Sequence, residues 1–384
     1  MPQSSSFKRT ILITGSTDGI GKQTATDLAA HPDNRVIIHG RSEEKCEATR
    51  DHIVKETGNP TNVDYIACDL SIMKEVAHFA DQVKSRFPDL NVLLCNAGVL
   101  NPRRAETKDG LEMTFQVNYL SHFILCNRLL ETLERNNHGR IVVVGSVLHS
   151  WTALDWSDVM AKKDYEKYLV YSRSKLCLHL MAFALHRRMN IARRNVAVNV
   201  VELGKEREPN NNGKIIRVHR IFGEFLWLCL YFIAARLSRT CKIFENRGIF
   251  TRCDYQAHAS ICERFSMKSG QRRMKFSMKR KCGRRDTASA CDCYATAMRR
   301  APILHHIVAR ARTTSALSSS MSTLSICRAA GNLVQLIENP AFETLSGKYL
   351  DSTGKQIRSG AEATDERLQE RLWTYSADLA KGYI

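Results

Sequence analysis

No long apolar run precedes the first strand-like segment; the chain opens MPQSSSFKRT. A secretory leader is not expected, and a reducing compartment follows as the simplest setting: the cytoplasm or the cytoplasmic face of a membrane. No pair of CxxC or HxxxH spacings accompanies Cys282, Cys291, Cys293, His305 and His306, which argues against a zinc site; no metal is expected. The longest apolar run, IFGEFLWLCLYFIAA at residues 221–235, is short for a bilayer and carries Glu224. It reads as a buried or membrane-surface helix.

Acidic residues are scarce in one place only. Of the formal net charge of +18, residues 203–330 supply 25 Lys and Arg against 8 Asp and Glu, and the remainder 32 against 31. The balanced remainder argues against a nucleic-acid role. The basic run KSGQRRMKFSMKRKCGRRD, residues 268–286, has Phe276 but few aromatics for base stacking. Nucleic acid is therefore not the expected partner, while peripheral contact with an anionic membrane stays open. Of the 13 cysteines, Cys46, Cys68, Cys95, Cys126 and Cys177 lie outside the block and read as small buried thiols.

What is present is an alternation. Strand-like runs at residues 10–13, 35–38, 63–68, 92–95, 141–144 and 196–201 are separated by helix-length segments near 19–30, 42–57, 72–87, 109–136 and 164–189. That order predicts an α/β fold: a Rossmann-type doubly wound parallel sheet, with its ligand at the carboxyl ends of the strands. The first turn, TGSTDGIG, brings Gly15, Ser16, Thr17, Gly19, Ile20 and Gly21 between a strand and a helix, where glycine lets backbone approach a pyrophosphate. After the second strand, Arg41 stands near where an acidic residue would bind a ribose hydroxyl, and Lys22 follows the turn. Basic residues there suit a 2′-phosphate, hence NADP(H) rather than NAD(H).

In YSRSK, Tyr171 and Lys175 lie one helical turn apart on one face. A neighbouring ammonium favours the phenolate, so Tyr171 can exchange a proton with an alcohol or carbonyl. Ser146 ends the fifth strand, Asn96, Ala97 and Gly98 end the fourth, and Asn118 sits mid-helix on an apolar face, which needs a reason.

Together TGxxxGIG, NAG, the asparagine of the fourth helix, the serine after strand five and YxxxK resemble the short-chain dehydrogenase/reductase (SDR) family over about residues 8–201. The long interval between Ser146 and Tyr171 is similar to its retinol-dehydrogenase-like branch. The resemblance implies an NADP(H)-dependent oxidoreductase acting on a lipophilic, retinoid- or steroid-like alcohol or carbonyl. It places Asp69 and Leu70 at the adenine and gives Asn118 a proton-relay water and Ser146 the substrate. Tyr171 becomes the acid/base, and Lys175 binds the ribose and lowers the tyrosine pKa. A homodimer through the long fourth and fifth helices is a further expectation.

The resemblance breaks after Val201. The family's Pro-Gly turn is absent, and ELGKEREPNNNG follows. Residues 203–329 are expected to be an atypical, mostly disordered basic insertion. The Ser/Thr-rich ARTTSALSSSMSTLS near its end reads as a linker. The segments expected to form the core are 1–202 and 330–384, the second supplying a helix, a seventh strand and an amphipathic terminal helix. The break inside a family motif points to translated intron or a frameshifted exon; the rival is a genuine insertion, such as a basic membrane-docking element. The alternative function is a catalytically impaired dinucleotide-binding protein acting through its basic segment.

Overall fold

The computed structural model describes residues 7–136, 138–203 and 315–384, the last without the side chains of 315–325. The chain divides into two units, Met1–Glu206 with Ser322–Ile384, and Arg207–Met321. The expectations for residues 221–235, the basic run at 268–286, the cysteine and histidine stretch and the disorder of 204–314 lie outside the described residues.

The first unit is a seven-stranded sheet in the order β3-β2-β1-β4-β5-β6-β7, every neighbouring pair parallel. Its strands are β1 Arg9–Ile13, β2 Asn34–Gly40, β3 Val63–Ala67, β4 Val92–Cys95, β5 Gly139–Val144, β6 Val196–Val201 and β7 Tyr349–Leu350. The helices are α1 Gly19–Ala29, α2 Glu43–Thr57, α3 Met73–Arg86, α4 Met113–Phe115, α5 Ser121–Arg135, α6 Lys167–Ile191, α7 Ser315–Glu338, α8 Ala361–Thr364 and α9 Glu366–Leu379. Among the described residues no helix is long and apolar enough to cross a membrane.

The apolar runs of the strands explain the layers, because alternate residues point to opposite faces. Leu12, Ile37, Leu93, Ile141, Val143, Val198 and Val200 join one core with α3, α5, α6 and α9. Ile11, Ile13, Val36, Ile38, Leu94, Val142 and Val144 join the other with α1, α2 and α7. Each such side chain contributes roughly 2 kcal/mol when fully buried.

Asn199 is the polar exception inside β6. Its amide donates to the Leu345 carbonyl and its Oδ1 accepts from Lys348 N, so it holds the segment that leads into β7. One expectation is corrected. The Ser/Thr-rich stretch is helical from Ser315, not a linker. Its Ala, Leu and Met residues propagate a helix whose far end is anchored by buried Leu333 and Ile337.

Candidate active site

The strand order reverses between β1 and β4, and the turns after these two strands meet at the carboxyl edge. Thr14 links them. Its hydroxyl accepts from the amides of Asn96 and Ala97 at 2.9 and 3.0 Å. Asn96 Nδ2 reaches back to the Thr14 and Gly15 carbonyls. Gly15 has φ +64°, and a Cβ there would lie 2.8 Å from Ala97 Cα. At Gly21 a Cβ would lie 2.4 Å from the Gly15 carbonyl oxygen and 2.5 Å from Asn96 Nδ2. Close approach of α1 to the turn thus requires glycine at position 21. Gly21→Ala is expected to push α1 off the turn, weakening nicotinamide dinucleotide binding about 5- to 150-fold for a strain of about 1–3 kcal/mol; a fluorescence titration reads it.

Ser16 Oγ ties the turn to Ile13 and His39. Thr17 packs on Gly40, and Ile20 packs into the core below. Asp18 caps Gly19, the first residue of α1, and the first-turn amides of a helix are ready donors to an anion. Arg41 is exposed directly after β2, with no ion pair among the described residues. Asp69 accepts from Ser71 N after β3, and Leu70 is buried beside it.

Asn118 has its reason. It lies in a π-helical turn, Gln116–Leu120, between α4 and α5. Its side chain accepts from Val99 N at 2.7 Å, donates to the Val99 carbonyl at 3.0 Å and donates to Ser174 Oγ at 3.0 Å. It clamps the chain leaving Gly98. A Cβ on Gly98 would lie 3.6 Å from Asn118 Oδ1 and 3.9 Å from Lys175 Nζ, so these three residues meet.

Lys175 is buried and donates to the Val144 carbonyl at 2.8 Å; burial lowers its pKa to about 8. Its ammonium stands 5.6 Å from the Tyr171 ring centroid. Burial holds the Tyr171 phenol above its ordinary value, and the protein alone does not provide the expected lowering. Lys175 turns its hydrogen bond onto β5. Ser146 follows β5, and its hydroxyl accepts from Leu148 N at 3.2 Å. No hydrogen bond joins Ser146 Oγ to Tyr171 among the described residues. The long interval before Tyr171 braces the neighbouring loop: Tyr165 donates to Asn101 O and Arg104 to Met160 O.

Sequence reasoning missed the histidines. His39 accepts from Gly15 N on Nδ1 and faces the Cys68 carbonyl with Nε2. His122 joins Thr14 Oγ1 to the Asn118 carbonyl. Burial lowers both to about 4, so both are neutral props of the two turns. The signal was a lone histidine inside an apolar run, VIIHG and YLSHF.

A phenol beside an ammonium, at the edge where the glycine turn opens α1, can pass a proton to or from a bound oxygen. Residues 9–214 match the family described as short chain dehydrogenase. Human polyprenol dehydrogenase is 36% identical over 200 residues, 51% of this chain and 60% of that protein. Mouse retinol dehydrogenase 13 is 35% identical over 227 residues, 57% of this chain and 66% of that protein. The chain thus spans less than two thirds of the length of either relative. The crystal structure of an uncharacterized Mycobacterium paratuberculosis protein shares the fold, with a TM-score of 0.59 and 19% identity over 97% of this chain and 94% of that one.

Proposed function

Because the chain belongs to the short-chain dehydrogenase family, we propose that it is an NADP(H)-dependent oxidoreductase interconverting an alcohol and a carbonyl on a lipophilic substrate. The observation that carries this reading is the meeting of Lys175, which stands beside the Tyr171 ring, with Gly98 and Asn118 at the carboxyl edge. Tyr171 exchanges the proton with the substrate oxygen, and Ser146 orients that oxygen. Lys175 supplies positive charge beside the phenol and reaches toward a ribose. Asn118 holds the Gly98 turn in place, and its neighbourhood carries the relay water.

The residues present fit a dinucleotide. At Gly21 a side chain would fill the space between α1 and the turn, and α1 presents its amino end to the site. The turn from Gly15 to Gly21 would hold the pyrophosphate, Asp69 and Leu70 the adenine, and Asn96 to Gly98 the ribose side. When bound, the nicotinamide supplies or takes up the hydride.

Arg41, exposed after β2 and without an ion pair among the described residues, supports recognition of a 2′-phosphate. Arg41→Ala is expected to raise the KM for NADPH about tenfold or more, as for loss of a hydrogen bond to a charged group, and to leave that for NADH nearly unchanged. Equal effects on the two cofactors would remove the basis for NADP(H) preference.

A lipophilic substrate is supported by Leu100 and Val147, 40% and 43% exposed. They follow the NAG turn and Ser146. The relatives' names, polyprenol and retinol dehydrogenase, point the same way. The test is NADPH oxidation by the purified full chain with a panel of long-chain and retinoid aldehydes. Turnover that rises with substrate chain length supports the reading; NADPH binding without turnover on any member favours the impaired binding protein.

A further inference from the structure

Behind Ser146 lies a buried polar cluster that the acid/base pair does not use. The peptide bond following Ser146 is gripped at both ends. Its carbonyl accepts from His149 Nδ1 at 2.6 Å and from the His149 amide at 3.1 Å. Its N–H, that of Val147, donates to Glu202 Oε1 at 3.2 Å. His149 is 2% exposed.

Hydrogen-bond logic fixes the proton positions. His149 Nδ1 faces a carbonyl, so it carries the hydrogen, and Nε2 accepts. It accepts from Gly360 N at 2.9 Å and from Ser359 Oγ at 3.0 Å. Ser359 Oγ in turn accepts from His179 Nδ1 at 3.0 Å. The His179 ring stacks on His149, with centroids 3.6 Å apart and planes 13° from parallel. Tyr349 presents its edge to both rings and donates its hydroxyl to Glu202 Oε2.

The two grips therefore share one source. Ser359 and Gly360 set the tautomer and the plane of His149, and Tyr349 fixes the Glu202 carboxylate. All three lie in the C-terminal part of the chain. Glu202 stands directly after β6, where a Pro-Gly turn is absent. The grip matters because the Ser146 hydroxyl is carried, through Cβ, by the Cα that adjoins this peptide. Rotating the peptide swings the hydroxyl and breaks its bond to Leu148 N.

We propose that His149 and Glu202 are positioning residues that fix Ser146 by clamping the peptide bond after it, with residues 349–360 supplying the partners that hold the clamp. The proposal rests on Ser146 as the group that orients substrate.

The test compares His149→Gln, His149→Asn and Glu202→Ala in the full chain. Asparagine keeps a donor at the Nδ1 position and loses the Nε2 acceptor; glutamine does the reverse. Hydrogen exchange of the amides of residues 147–151 reads the clamp without any turnover. NADPH affinity, Tm, kcat and KM are measured beside it. His149→Gln and Glu202→Ala are expected to speed exchange at 147–151 about tenfold, local opening being read directly by exchange. They are expected to lower kcat about 10–100-fold, the cost of a small misplacement, with KM and NADPH affinity nearly unchanged. His149→Asn recovers part of both losses, because it keeps the donor to the Ser146 carbonyl and gives up the Ser359 and Gly360 bonds that hold the ring. The clamp is overturned if exchange at 147–151 is unchanged in His149→Gln, or if Asn and Gln lose exchange protection and kcat equally and in step with Tm. If the parent chain binds NADPH but turns over nothing, the enzyme reading fails, and exchange alone still decides the clamp.

Discussion

Tyr171→Phe is expected to lower kcat about 10³-fold, within the range for loss of a general acid–base, while NADPH affinity stays nearly unchanged. Phenylalanine keeps the ring on α6 and removes only the hydroxyl proposed to exchange the proton. Lys175 keeps its bond to the Val144 carbonyl, because that bond does not involve the phenol. The variant should therefore fold with a near-parental Tm. Single-turnover kinetics with NADPH and an aldehyde substrate give the result. A kcat within about threefold of the parent, far less than acid–base loss predicts, would mean that Tyr171 is not the proton carrier. Tight NADPH binding by both chains with turnover by neither would favour the dinucleotide-binding protein over the enzyme.

The fold was legible because its signal is local. The runs Ile11 to Ile13, Val36 to Ile38 and Ile141 to Val144 each alternate faces within a few residues, and parallel strands covered on both sides need little else. The glycine turn after β1 was legible for the same reason: Gly15 and Gly21 lie close together in sequence and carry their own steric logic. Tyr171 and Lys175 sit on one helix turn.

What the sequence hid is held together across long separations. The role of His149 depends on Ser359, 210 positions away, and His179 meets the same hydroxyl across 180. Asn199 reads as a flaw in a valine strand until the Leu345 carbonyl and Lys348 amide appear beside it. The π turn at Asn118 was invisible because its five residues lie inside one apolar helical segment with no glycine or proline to mark it. Spacing places an ammonium near a phenol without saying that its hydrogen bond goes to the Val144 carbonyl.

Glu343→Ala is expected to lower stability by about 3 kcal/mol, the cost of stripping a buried charge of its partner, and Tm by roughly 6–10 °C. Arg140 enters β5 at 3% exposure and Arg9 enters β1 at 7%. Glu343 lies 3.3 Å from the Arg140 guanidinium and 3.7 Å from that of Arg9, with His138 at 3.2 Å. Burial already pulls the Arg140 pKa down, and Glu343 opposes that pull. Arg140 also donates to the His138, Leu336 and Ile337 carbonyls and Arg9 to that of Glu338, and these neutral acceptors leave the charge itself balanced by one carboxylate. Removing it strands two guanidiniums at the amino edge of the sheet. The exposed pair of Arg135 with Glu131, at 77% and 73% exposure, is the control, and Glu131→Ala should leave Tm nearly unchanged. Because Arg9 and Arg140 precede the basic block in sequence and Glu343 follows it, the measurement tests whether the two flanks close one core in solution. A Glu343→Ala loss no larger than that of Glu131→Ala would mean that residues 338–343 do not dock on β1 and β5, and the support that residues 349–360 give to Ser146 would lose its anchor with them.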